Sequence, residues 1–111
     1  MPSYIPRKGD YIAATFDPQS GHEQKGRRPA LVISNDLFNR HTGLAIVCPI
    51  TNARRDYPFH LAVTGTDSIT GVVMVDQVKS IDFRTRKAQR ISRADSAFLD
   101  EVLSLLDACI Y

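Results

Sequence analysis

No stretch of the 111-residue chain is apolar for the length a membrane-spanning helix needs, about 18 residues or more. The N-terminal segment MPSYIPRKGDY has no apolar core of signal-peptide length, which favours a cytoplasmic protein without a membrane partner. Cysteine is scarce. Cys48 and Cys109 sit among apolar neighbours and read as buried thiols, because two cysteines make no disulfide framework. His22, His41 and His60 are spread along the chain, and no Cys/His cluster has metal-ligand spacing, so the chemistry is expected to need neither metal nor cofactor. Repeats, low-complexity tracts and interdomain linkers are also missing, and the length suits a single domain over residues 1–111. With 43% hydrophobic and 23% charged residues, the composition is that of a folded chain and excludes a disordered one.

One end of the chain has no basic residue. All 14 Lys and Arg lie within residues 1–93, which carry a net +6, whereas residues 94–111 hold Asp95, Asp100, Glu101 and Asp107. A basic body with an acidic tail suits a phosphate-rich or acidic partner, although solvated surface charge gives the same pattern.

Five apolar segments read as strands: DYIAATF (10–16), PALVIS (29–34), LAIVCPI (44–50), PFHLAV (58–63) and GVVMVDQVKSIDF (71–83). NDLFNRHTG (35–43) suits a single helical turn ending at Gly43. Phe98, Val102, Leu105, Leu106 and Cys109 fall on one face of a helix, and Ser92 with Asp95 three residues on resembles a capping box. These elements predict a mainly β protein with α (α+β), in which a C-terminal helix packs on a strongly curved antiparallel sheet.

The richest chemistry lies in GHEQKGRRP, residues 21–29. Metal-free cleavage of RNA needs a group that moves protons and a positive charge beside the phosphorane. Histidine or carboxylate supplies the first; arginine, permanently charged and bidentate, is the best phosphate clamp. His22, Glu23, Arg27 and Arg28 provide these types between Gly21 and Pro29. Each also has an ordinary reading: a solvated histidine, a Glu23 pairing with Lys25 or Arg27, an arginine in a structural ion pair.

Taken in order, GDYIAATFDPQSGHEQKGRRPALVIS, FNRHTGLAIVCPIT, YPFHLAV and TGVVMVDQVKSIDFRTR resemble the MazF/PemK family of toxin endoribonucleases from Gly9 to the final helix. The resemblance implies an SH3-like (CcdB/PemK-like) antiparallel β-barrel with a C-terminal α-helix, working as a homodimer. It implies the toxin of a type II toxin–antitoxin system, a metal-independent, sequence-specific endoribonuclease. Such an enzyme cleaves single-stranded RNA or mRNA through the 2′-hydroxyl and leaves a 2′,3′-cyclic phosphate and a 5′-hydroxyl. It further implies a cognate antitoxin whose acidic C-terminal tail covers the RNA groove, with operator DNA reached only through that complex. Carried over by position, the catalytic set is Glu23, Arg28, Thr51 and His22. The RNA-binding set is Phe16, Gln24, Asp76, Gln77, Lys79, Arg84 and Arg86, with Phe16 equally suited to the core. Two departures bear on roles: Met74 stands where some members have arginine, and Asn52 follows Thr51 where another hydroxyl residue is common. The first makes Asp76 a residue that positions or binds RNA instead of the chief base. A same-fold toxin that binds a protein such as gyrase has no need of the GHEQKGRRP cluster. A catalytically silent module that binds RNA or antitoxin is compatible with the same basic groove.

Overall fold

The computed structural model describes residues 4–16, 26–53 and 57–111. Seven strands and two helices follow in the order β1 (Asp10–Thr15), β2 (Arg27–Val32), α1 (Asp36–Thr42), β3 (Leu44–Thr51), β4 (His60–Ala62), β5 (Val72–Met74), β6 (Lys79–Asp82), β7 (Gln89–Arg93) and α2 (Ser96–Ile110). All ladders are antiparallel. β3 is the hub: its first half pairs with β2 and β6, and its end (Ile50, Thr51) pairs with β5, which in turn pairs with β4. One path therefore runs β6-β3-β2-β1-β7, and its two edge strands are consecutive in the chain, joined by residues 83–88. A link that short forces the five strands to curl, giving the expected strong curvature, although no ladder among the described residues closes the ring.

The apolar runs are continuous because the central strands are buried on both faces. Ile12, Ala14, Ala30, Val32, Ala45, Val47, Ile81 and Phe83 form one cluster inside the curl. The alternate residues Tyr11, Leu31, Ile33, Cys48 and Ile50 face the other way and join Val73, Val75, Phe98 and Val102 beneath α2. α1 is longer than the single turn expected but has the expected stop. Asn35 caps it by accepting from the Phe38 amide (2.8 Å), and Gly43, at φ 73°, donates to Asn39 O.

Several sequence expectations are corrected. The 71–83 segment breaks at a 3-10 turn, Val75–Gln77, into two strands that both pair with β3. The 58–63 segment shrinks to β4. β7 went unseen because its residues are exposed or half-buried and polar, an edge strand held by pairing with β1. Ser92 belongs to β7 and bonds the Ser68 hydroxyl at 2.7 Å, so no capping box forms; Asp95 is the N-cap, without a side-chain cap bond. Cys109 is exposed, because only Phe98 and Val102 of the helical stripe are fully buried, and cover fades toward the last turn.

Candidate functional site

Four expected site residues share one end of the curled sheet. β1 finishes where β2 starts (Thr15 opposite Arg27), β2 starts where β3 finishes, and β6 begins opposite Val47 of β3. Alternation then sets the faces. Phe16 and Arg28 follow the parity of Ile12, Ala14, Ala30 and Val32, while Thr51 and Lys79 follow Ala45, Val47 and Ile81; all four lie on the inner face. The β2–β3 ladder ends at Ala30 opposite Pro49; beyond it Arg28 pairs with Ala14 of β1, and Thr51 pairs with Val72 of β5. His22, Glu23 and Gln24 lie outside the described residues, in the segment that leaves β1 and enters β2 at this same end.

The two adjacent arginines are not equivalent. Arg27 is half-buried and donates to Ala13 O (2.9 Å) and Lys87 O (2.9 Å), with longer contacts to Thr15 and Gln89. Its guanidinium ties β1 to the start of β7. Arg28 is exposed, and its guanidinium makes no hydrogen bond or ion pair to the other described residues. Phe16 packs half-buried against the inner cluster, with the Lys79 ammonium 5.3 Å above its ring. Arg86 donates to Thr15 O at 3.0 Å and lines a cavity of about 230 Å³ with Thr15, Ser80, Ile81, Asp82 and Thr85. Arg84 lies over the Phe83 ring in the 83–88 turn.

A second group forms where β3, β4 and β5 meet. Thr51, Ala53, His60, Met74 and Gln77 line a pocket of about 100 Å³. The Thr51 hydroxyl accepts from the Ala53 amide at 3.1 Å, and Thr70 donates to Asn52 at 3.2 Å, which fixes the chain as it leaves β3. Gly71 packs against the same turn: at φ +119°, its position has no room for a Cβ, which would fall 2.5 Å from Thr51 O. Asp76, in the 3-10 turn, meets His60 Nε2 at 3.1 Å. Sequence reasoning missed His60. The available signal was alternation within β4, because Phe59, Leu61 and Val63 turn one way and His60 the other. Nearby Cys48 has its thiol pushed up to about 12, first by burial and then by the charges of Cys109 and Asp76.

An exposed arginine on the inner face, with Thr51 lining a small pocket, suits an anionic, hydrogen-bonding ligand. The sequence profile of the PemK-like, MazF-like toxins of type II toxin-antitoxin systems matches residues 7–110. The chain belongs to this family. The endoribonuclease toxin MazF of Escherichia coli K12 is 42% identical over 87 residues, 78% of each chain. The endoribonuclease toxin ChpB of the same strain is 40% identical over 108 residues, 93% of this chain and 92% of ChpB. Among solved structures, MazF (Form-I) of Deinococcus radiodurans superposes with TM-score 0.85 at 39% identity, covering 97% of this chain and 98% of that one. A MazE–MazF structure (Form-III) from the same organism gives TM-score 0.87 at 36% identity, covering 96% and 97%. The expected family fold, β-rich with a C-terminal helix, is thus the observed one.

Proposed function

We propose that this protein is a type II toxin that acts as a sequence-specific endoribonuclease on single-stranded RNA. The observation that carries the reading is Arg28, exposed on the inner face with no side-chain partner among the described residues, beside an Arg27 bound into the fold. Arg28 takes the scissile phosphate and neutralises charge as the phosphorane forms, and Thr51 hydrogen-bonds a phosphate oxygen. Glu23 or His22 removes the 2′-hydroxyl proton, and the 5′-oxygen leaves protonated. Lys79 and Arg86 extend the positive charge along the same end of the sheet, with Gln24, Asp76 and Gln77 contacting the RNA and Arg84 a more distant phosphate. Phe16 works from below, supporting Lys79 more than stacking on a base. The enzyme is cytoplasmic, works as a homodimer, and is silenced by a cognate antitoxin.

The test is purified protein, a mixed-sequence RNA and EDTA, with end-group analysis of the fragments. Cleavage leaving 2′,3′-cyclic phosphate and 5′-hydroxyl ends, abolished by a single 2′-deoxy substitution at the cut, is the expected result. Cleavage of the all-DNA equivalent, or strict dependence on magnesium, would refute the mechanism. Intact RNA under all conditions would point instead to a toxin that binds a protein.

A further inference from the structure

His60 pairs with Asp76, and the reading above gives the histidine no role. The His60 side chain is 5% exposed, that of Asp76 31%, and Nε2 lies 3.1 Å from Oδ1. Three features hold the imidazole in place. Its strand position pairs with Met74, its amide donates to Tyr57 O at 3.1 Å, and the Tyr57 ring tilts over it at 4.9 Å. Nδ1 is buried and has no partner among the described residues. A buried N–H left unbonded costs more than a bare ring lone pair beside polarisable neighbours, so the tautomer that fits is Nε2–H donating to the carboxylate, with Nδ1 unprotonated.

This arrangement is one-sided. An ionised carboxylate has about four lone-pair sites, and among the described residues Asp76 uses one, for His60. Asp76 lies in the turn whose Gln77 shares the small pocket with Thr51 and His60. A pocket of about 100 Å³ has room for a few waters or for the edge of one base. We propose that His60 is a positioning residue for RNA recognition. It grips one oxygen of Asp76 and leaves the other, on a partly exposed side chain, for the exocyclic amino group of a bound base. Carboxylates accept from such amino groups, which thymine and uracil lack, so the pair would help to choose the base at that subsite. The inference rests on the ribonuclease reading above.

The experiment is steady-state cleavage of an RNA carrying the mapped site, with each base substituted in turn. It compares His60→Phe, His60→Gln, Asp76→Asn and the His60→Phe/Asp76→Asn double variant, with thermal unfolding of each alongside. His60→Phe keeps volume and ring packing but loses the donor. It should raise KM about tenfold for the preferred base, the scale of one discriminating contact, with kcat nearly unchanged and the preference at one position relaxed. His60→Gln, whose amide nitrogen reaches where Nε2 was, should recover most of the loss. The double variant should be no worse than Asp76→Asn alone, because His60 acts through Asp76. Losses that add, a Gln variant no better than Phe, or a fall in kcat with KM unchanged would overturn the role. Wild-type protein that neither cleaves nor binds RNA would instead overturn the ribonuclease reading. A wild type that cleaves while His60→Phe is unaltered sinks only the role of His60.

Discussion

At the scale of single residues, the contrast between Arg27 and Arg28 is sharp enough to test. Arg28→Ala should remain folded yet lose cleavage by about a hundred- to a thousandfold, the usual cost of removing a transition-state charge contact. Arg28→Lys should recover only part, since an ammonium cannot make the bidentate contact. Arg27→Ala should do the reverse. It removes the donors to Ala13 O and Lys87 O, so it should lower stability by about 1–3 kcal/mol in urea titration while changing the chemical step far less. Equal losses of activity in both variants would mean a general basic patch. The sequence could not separate the two arginines by type, because both are cations beside Pro29. Strand alternation does separate them: Arg28 follows Ala30 and Val32 to the inner face, and Arg27 follows Leu31 to the other. Asp10 makes a different point. It is 1% exposed and accepts from the Tyr4 hydroxyl, the Arg7 amide, Arg90 and Arg93, and nothing in the motif GDY announced that network. Tyr4 and Arg7 are near it in sequence, but Arg90 and Arg93 are distant and meet it only through the β1–β7 ladder. Removing them with Asp10→Ala should cost about 3–5 kcal/mol, as breaking a buried ion pair does, measurable as a lowered urea midpoint without loss of the specific rate of the folded fraction.

Among the elements, those with strong local patterns were legible and those defined by pairing were not. The runs PALVIS and LAIVCPI gave β2 and β3 because buried central strands are apolar throughout, and α1 was readable from its Asn35 and Gly43 boundaries. β7 has almost no buried side chain, so hydrophobicity carried no signal for it. The break within 71–83 was hidden for the opposite reason. VVMV and VKSI are both β-type, and only the demand that one segment pair with each half of β3 forces the 3-10 turn between them. That turn is what delivers Asp76 to His60, so a candidate-site contact was lost along with the element boundary. Gly71 belongs to the same construction. Gly71→Ala places a Cβ 2.5 Å from Thr51 O at a φ of +119°, so the strands must part. The expected cost is about 2–3 kcal/mol from strain and lost packing together. Because Thr51 moves with the strand, the folded variant should also cleave more slowly; an unchanged specific rate would show that Thr51 tolerates displacement.

For the whole molecule, buried acids and uneven charge set how it responds to solution. Burial is the first cause that pushes Cys48 and Tyr11 up to about 12, and Tyr4 further, where Asp10 adds to the effect. Each group keeps its proton in the folded chain at a pH where the unfolded chain has released it. Stability should therefore fall as pH rises above the ordinary values of 9.0 for the thiol and 10.0 for the phenols, until the folded groups titrate as well. The slope is about 1.4 kcal/mol per pH unit for each group engaged, and Cys48→Ala should flatten the part between about pH 9 and 10, read as urea midpoints across that range. Charge shapes binding as well as stability. Residues 1–93 carry +6, and the acids of 94–111 are drawn off largely into α2, which packs on the face opposite Arg28 and Lys79. The inner-face end is thus left basic, and a surface that holds RNA phosphates also suits a peptide rich in Asp and Glu. An antitoxin tail of that composition, with interspersed apolar anchors, should compete directly with RNA. Charge would set the speed and salt sensitivity of encounter, while the anchors would supply affinity as the disordered tail orders on binding. A titration of a short uncleavable RNA against the tail, at two salt concentrations, tests this. Each ligand should weaken the other's apparent affinity, and raising the salt should slow association of both. Independent saturation of the protein by both ligands, with neither affinity altered, would place the antitoxin on another surface, leaving the basic end for RNA alone.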